Sequence, residues 1–296
     1  MDFDTSVHNL WENTMMELEG KVAVVTGGAS GIGFAMADRF GRNGMKVVIA
    51  DIEERRLQAS TADLRASGFD AIGVVTDVAD PESVRALAKH AIGHYGAVHI
   101  LCNNAGVDSG AMFSDIPLRT WQWVMDVNFY GVLHGCREFL PLLRQERESH
   151  IVNTCSVSAV ATGAPTMSPY IASKFAVLGM SENLEIELRT AGESVGVSVL
   201  CPGPVKTLMA ASERNRPDGV ESMSADPVRR SAVERLSDTT AASGLEPQQV
   251  AGMVVDGIRE RRFFILPHPE MALRGVQRRL DWMQGGTPPG KREAGT

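Results

Sequence analysis

In the segment Tyr170-Ile-Ala-Ser-Lys174 a phenol and an ammonium stand four residues apart, so on a helix they share one face. A free tyrosine keeps its proton up to about pH 10, too high for a base at neutral pH. The ammonium of Lys174, joined by a second positive charge nearby, is expected to stabilise the phenolate and lower that value. Such a pair could take the proton of an alcohol or return one to a carbonyl oxygen. A hydroxyl that hydrogen-bonds the same oxygen would stabilise its developing charge. Ser156 and Ser158, shortly before Tyr170 in sequence, both carry one.

A second group lies near the amino end, in Thr26-Gly27-Gly28-Ala29-Ser30-Gly31-Ile32-Gly33. It follows an apolar β-branched run and opens an amphipathic one. Gly27, Gly31 and Gly33 let the backbone turn tightly and approach a pyrophosphate. Ser30, Ile32 and their neighbours offer the unpaired N–H groups and positive dipole end of a helix start. Asp51, eighteen residues past Gly33, ends the second apolar run, where a carboxylate can bind adenosine ribose hydroxyls. A ribose 2′-phosphate there would meet like charge, worth ~4 kcal/mol at about 4 Å and an effective dielectric near 20. Ser30 and Ile52, the loop positions where a compensating cation would stand, are uncharged, although Arg55 and Arg56 follow one helical turn on. NAD is therefore expected over NADP. Its nicotinamide supplies that second positive charge when oxidised, and would exchange a hydride while Tyr170 exchanges the proton; Lys174 could also bind the nicotinamide ribose.

These groups need a frame that brings them together. Short runs rich in Val and Ile, apolar on both faces, fall at 22–26, 46–51, 71–76, 98–103, 150–155 and 196–201. They alternate with helical patterns at 31–43, 53–67, 81–95, 118–146 and 169–191. Buried strands alternating with helices predict an α/β fold, a doubly wound, Rossmann-type parallel sheet with helices on both faces. Ligands then bind at the carboxyl ends of the strands, which is where the chemistry-bearing residues stand. Residues 207–244 are polar and lack strong strands, and are expected to form a substrate lid. A helix at 247–261, a short strand at 263–266 and a basic helix at 269–283 follow. The expected organisation is an arm over 1–18, one domain over 19–284 and a disordered tail over 285–296.

The motifs occur in a recognisable order: TGGASGIG at 26–33, Asp77-Val78, NNAG at 103–106, Asn128 in DVNFYGV, a serine after the fifth strand, YxxxK at 170–174 and PGPVKT at 202–207. With them the chain resembles, over roughly 18–207, the short-chain dehydrogenase/reductase family in its common single-domain form. The resemblance implies that Asp77 receives the adenine amino group and that Asn104 with Ala105 holds the adenosine ribose region. Val78 and Gly106 belong to the same coenzyme-binding set. Asn128 would organise the helix and water path feeding the proton relay. Pro202, Gly203, Val205 and Thr207 would clasp the nicotinamide end, Val205 through its backbone. A homotetramer or homodimer is implied, with helices 118–146 and 169–191 packing between subunits. The family usually shows two adjacent serines, the second catalytic; here Cys155 replaces the first and the resemblance points to Ser156 as the second, with Ser158 competing. The spacing from Ser156 to Tyr170 is also one residue longer than the commonest, which points to an insertion in that loop.

The walls expected around a substrate come from 108–113, 158–169 and the segment after Thr207. Ser156, Ser158, Met167, Tyr170, Leu208 and Met209 are the candidate substrate contacts. With Val160, Ala161 and Pro165 they carry little fixed charge, which predicts a medium or large apolar alcohol or ketone, steroid-like, terpenoid or aryl. A formal net charge of −7 argues against a nucleic-acid partner. No apolar run approaches the ~20 residues that cross a bilayer, and the first residues lack a signal-peptide pattern. Four cysteines without CxxC spacing read as free thiols of a cytoplasmic protein. His90 and His94 share a helix face but have no third ligand at useful spacing, so no metal is expected. Two other classes stay open: a catalytically silent NAD-binding regulatory or scaffold protein, and a methyl transferase on a similar sheet. The Asn128, Ser156, Tyr170 and Lys174 set disfavours the first, and the YxxxK and PGPVKT segments have no reason to exist in the second.

Overall fold

Val22–Thr26 and Lys46–Asp51 contain hardly a side chain that water could satisfy, and both become interior strands (β1 and β2). Ala71–Val75 (β3), Ile100–Asn103 (β4), Ser149–Thr154 (β5), Val195–Leu200 (β6) and Phe264–Ile265 (β7) join them. The computed structural model describes residues 16–286, apart from Thr162, together with Pro289. All seven strands run parallel in one sheet of order β3-β2-β1-β4-β5-β6-β7. This is the expected Rossmann-type arrangement, with its switch in strand order between β1 and β4.

Successive side chains point to opposite faces, so each strand feeds two cores. Ala23, Val25, Val47 and Ile49 pack on one side against Met36 and Phe40 of Gly31–Arg42 (α1) and Val254 and Ile258 of Pro247–Arg259 (α8). Leu57 and Leu64 of Glu54–Ala66 (α2) complete that layer. Val22, Val24, Val48 and Leu101 face the other way, onto Leu87 of Pro81–Tyr95 (α3) and Phe139 of Gly131–Leu143 (α5). Val177 of Ser168–Thr190 (α6) joins this second core. Helix α3 shows how local chemistry sets boundaries: Asp80 caps its first turn by accepting from the Glu82 N–H, Pro81 follows, and Gly96 ends it in a left-handed conformation.

Two expectations are corrected. Met16 and Leu18 are buried in the first core, so the core begins ahead of the boundary placed after Leu18. The rest of the expected arm, and all of the expected tail except Gly285, Gly286 and Pro289, lie outside the described residues. The segment read as one helix over 118–146 is an α-helix at Leu118–Met125 (α4), a π turn at Asp126–Tyr130 and then α5. After β6, residues 207–244 form a 3-10 turn at Met209–Asn215 and a helix at Pro227–Ser243 (α7), and a final helix runs over Pro269–Gly285 (α9).

Candidate active site

A cleft crosses the carboxyl ends of the strands. The loop after β1 forms its floor at one end, where Gly27, Ser30, Gly31 and Ile32 line it. Gly33 does not line the cleft but makes the loop possible: a Cβ there would stand 2.1 Å from the Gly27 carbonyl oxygen. Ser30 precedes α1 in extended conformation with no side-chain cap, leaving the first N–H groups of α1 for a ligand. A backbone cradle in which neither Gly27 nor Gly33 has room for a Cβ fits the pyrophosphate of a dinucleotide.

Asp51 is fixed at the tip of β2. One carboxylate oxygen accepts from the Ala29 N–H (3.1 Å) and the other from the Glu53 N–H (3.0 Å). Asp77 is held likewise by the Ala79 N–H (2.9 Å), and it lines the cleft beside Val78. Ala105 and Gly106 line it too. The Asn104 side chain also faces this region, but its amide is occupied: it donates to the Thr26 carbonyl (3.1 Å) and accepts from the Thr154 hydroxyl (3.3 Å). Asn104 thus ties the ends of β1, β4 and β5 together.

At the other end Tyr170 and Lys174 rise from the first turns of α6, both buried. Lys174 Nζ donates to the Thr154 carbonyl (2.9 Å) and stands 5.6 Å from the centre of the Tyr170 ring. Burial pushes the Lys174 ammonium below its ordinary value. Burial also pushes the Tyr170 phenol well above 10; the Ser156 hydroxyl, hydrogen-bonded to it, acts in the opposite sense, and Asp108 adds to the rise. The lowering expected from Lys174 together with oxidised nicotinamide is thus not produced by the side chains alone, because desolvation dominates the phenol's surroundings.

Ser156 Oγ accepts from the Ser158 N–H (3.1 Å) and so caps a 3-10 turn at Val157–Ala159. Ser158 serves here as the backbone support of Ser156. Asn128 lies on the π turn, fully buried. Its amide accepts from the Val107 N–H (2.8 Å) and donates to the Val107 carbonyl (2.9 Å) and to Ser173 Oγ (3.0 Å). It clamps the loop after β4 to the helix that carries Tyr170. Cys155 donates to the Lys174 carbonyl (3.0 Å), a packing role beneath the pair.

Pro202, Thr207, Leu208 and Met209 line the cleft, whereas Gly203, Val205, Ser156, Ser158 and Met167 do not. The Gly203 N–H donates to His268 Nδ1 (3.1 Å), and Val205 pairs with Leu245 in a single bridge. Sequence reasoning missed several groups. Trp123 and Arg119 of α4 line the cleft, as do Glu53, Arg214 and Asn215. Asp108 forms a buried ion pair with Arg229 at the start of α7 (2.6 Å). Ser212 Oγ accepts from the Asp108 N–H (2.8 Å) and donates to its carbonyl (3.0 Å), while Ser109 donates to Glu213 (2.7 Å). The segment after Thr207 is thereby fastened to the loop after β4. No periodicity in the sequence announces such pairs.

A doubly wound sheet with a glycine cradle at one end and a buried Tyr–Lys pair at the other defines a nicotinamide-dependent oxidoreductase of alcohols and ketones. The family model for short chain dehydrogenase matches residues 21–218. The chain belongs to the short-chain dehydrogenase/reductase family. It is 35% identical over 282 residues to 1-deoxy-11-beta-hydroxypentalenate dehydrogenase of Streptomyces exfoliatus, covering 93% of each chain. It is 31% identical over 259 residues to the C alpha-dehydrogenase of Sphingobium sp. strain SYK-6, covering 87% of this chain and 83% of that one. Among solved structures, a short chain dehydrogenase/reductase from Burkholderia phymatum in complex with NAD superposes with a TM-score of 0.90 at 40% identity. That match covers 95% of this chain and 100% of the other.

Proposed function

We propose that the protein is an NAD-preferring dehydrogenase or reductase of a medium or large apolar secondary alcohol or ketone, with Tyr170 as the proton-transfer group. The carrying observation is a cleft lined by Tyr170 and Lys174 at one end, with Ser156 hydrogen-bonded to Tyr170 from outside the lining, and by the Asp51 carboxylate at the other. When bound, the nicotinamide supplies or accepts the hydride. Ser156 holds the substrate oxygen, Tyr170 gives or takes its proton, and Lys174 steadies the phenolate and binds the nicotinamide ribose. Asn128 positions the loop and helix on either side. Ser30, Gly31 and Ile32 would receive the pyrophosphate, and Asp77 the adenine.

Leu208 and Met209 on the cleft wall support an apolar substrate, and so does the hydroxypentalenate in a relative's name. A panel of alcohols and ketones, followed through NADH and NADPH beside Tyr170→Phe, tests the reading. Turnover of apolar ketones that vanishes in the variant is expected. Preference for short polyols or charged sugars would overturn the substrate class, and full activity in Tyr170→Phe the mechanism.

The same reading includes a homodimer or homotetramer through α4, α5 and α6, supported by exposed Tyr130 and Ile186, and light scattering tests it. It also includes a cytoplasmic site of action, supported by four buried free thiols. Among the described residues no helix is long and apolar enough to cross a membrane.

A further inference from the structure

Two residues beyond Asp51 stands a second carboxylate, Glu53, which lines the same end of the cleft. Its Oε1 accepts from Arg214 Nε (2.9 Å), Arg214 Nη2 (2.7 Å) and Asn215 Nδ2 (3.1 Å). Its Oε2 lies 3.4 Å from Arg56 Nε. Arg214, which lines the cleft, and Arg56 of α2 are thus both turned onto one side chain. Burial pushes the Glu53 carboxyl up, but Arg214, Asn215 and Arg56 outweigh it and hold the group below its ordinary value. Arg214 does not depend on Glu53 for its place. Its Nη1 also donates to the Leu208 and Ala211 carbonyls, both at 3.1 Å.

A ribose 2′-phosphate carries close to two negative charges at neutral pH and is best held by the two-pronged edge of a guanidinium. In this chain that edge of Arg214, Nε with Nη2, is the one Glu53 occupies. We infer that Glu53 is a coenzyme-selecting residue, which masks Arg214 and Arg56 from a ribose 2′-phosphate and so disfavours NADP beyond what Asp51 achieves. The inference rests on the proposal that the Asp51 end takes the adenosine ribose. Asp51 repels the phosphate, whereas Glu53 withholds the cations that would attract it. Replacing Glu53 by glutamine keeps the shape and an acceptor but removes the charge. Arg214, still held by the lid backbone, would then present its edge to the cleft.

Calorimetric titration of NAD+, NADP+ and adenosine 2′,5′-bisphosphate into the wild-type chain and its variants tests this without relying on turnover. In Glu53→Gln the ratio of NADP+ to NAD+ dissociation constants should fall at least tenfold, and the bisphosphate should bind more tightly. Adding Arg214→Ala and Arg56→Ala should restore the original ratio. Glu53→Asp, which keeps the charge but shortens the reach, should give a smaller fall and guards against a misfolded glutamine variant. If Glu53→Gln weakens both coenzymes alike, Glu53 is only a lid anchor and the inference fails. A fall that survives removal of both arginines overturns it too. A wild-type chain that binds NADP+ as tightly as NAD+ would instead overturn the NAD preference on which it rests.

Discussion

Lys174 Nζ lies 5.6 Å from the centre of the Tyr170 ring while donating to the Thr154 carbonyl, so the ammonium sits beside the phenol and is anchored to the end of β5. Burial keeps that phenol protonated above the ordinary pH range. Ketone reduction, which needs the phenol, should then hold its rate from neutral to mildly alkaline pH. Alcohol oxidation, which needs the phenolate, should climb with pH over the same range. Initial rates in both directions check this, and Tyr170→Phe should lower kcat by ~10²–10⁴-fold. Equal pH profiles in the two directions would count against the assignment.

Gly33→Ala should abolish coenzyme binding. The added methyl would stand 2.1 Å from the Gly27 carbonyl oxygen and 2.6 Å from the Asn104 amide, so the loop must open to admit it. NADH fluorescence titration should show at least a tenfold loss, with a lower melting temperature. Unchanged binding would mean that the cradle is not the pyrophosphate site.

The buried Asp108–Arg229 pair should behave as a unit. Removing one member leaves an unpaired charge in the interior, which costs about 3–5 kcal/mol. Asp108 already has one oxygen without a hydrogen-bond partner, and burial pushes its carboxyl up. Arg229→Leu should therefore destabilise more than the double change Asp108→Leu and Arg229→Leu, as read by urea unfolding. Additive losses would show that the pair is not coupled.

His150 should make the fold acid-sensitive. It is fully buried, its Nε2 is 2.7 Å from Ser198 Oγ, and burial pushes it down to about 3. Unfolded, it would take a proton near the ordinary 6.5, whereas folded it resists until about 3. Because the folded value is depressed, its contribution is complete above about pH 6.5 and is lost as pH falls towards 3, by a few kcal/mol. Urea midpoints measured across that window should fall for the wild type and flatten in His150→Gln.

Strand positions were readable because both faces of β1, β2 and β6 are buried, which leaves runs of Val, Ile and Ala with few polar residues, whereas β5 buries Ser149, His150, Asn153 and Thr154 among Ile151 and Val152. The glycine loop, Asp51, Tyr170 and Lys174 were readable because their chemistry dictates short, local spacings. What escaped was everything set by contacts between distant segments. Nothing in the polar stretch around Arg214 or Arg229 marks either arginine as destined for Glu53 or Asp108, more than a hundred positions away. The direction of the Tyr170 shift escaped for a similar reason: spacing reveals a neighbouring cation, but not how completely water is removed.

The wide turn at Asp126–Tyr130 leaves α4 and α5 out of phase. An α-helix advances ~100° per residue, so trimming one residue there would straighten the rod only by spinning one half against the other. Either Trp123 would leave the cleft or Phe139 would leave the core, and Asn128 would lose its grip on Val107. Within these five residues, length should tolerate less change than side-chain identity.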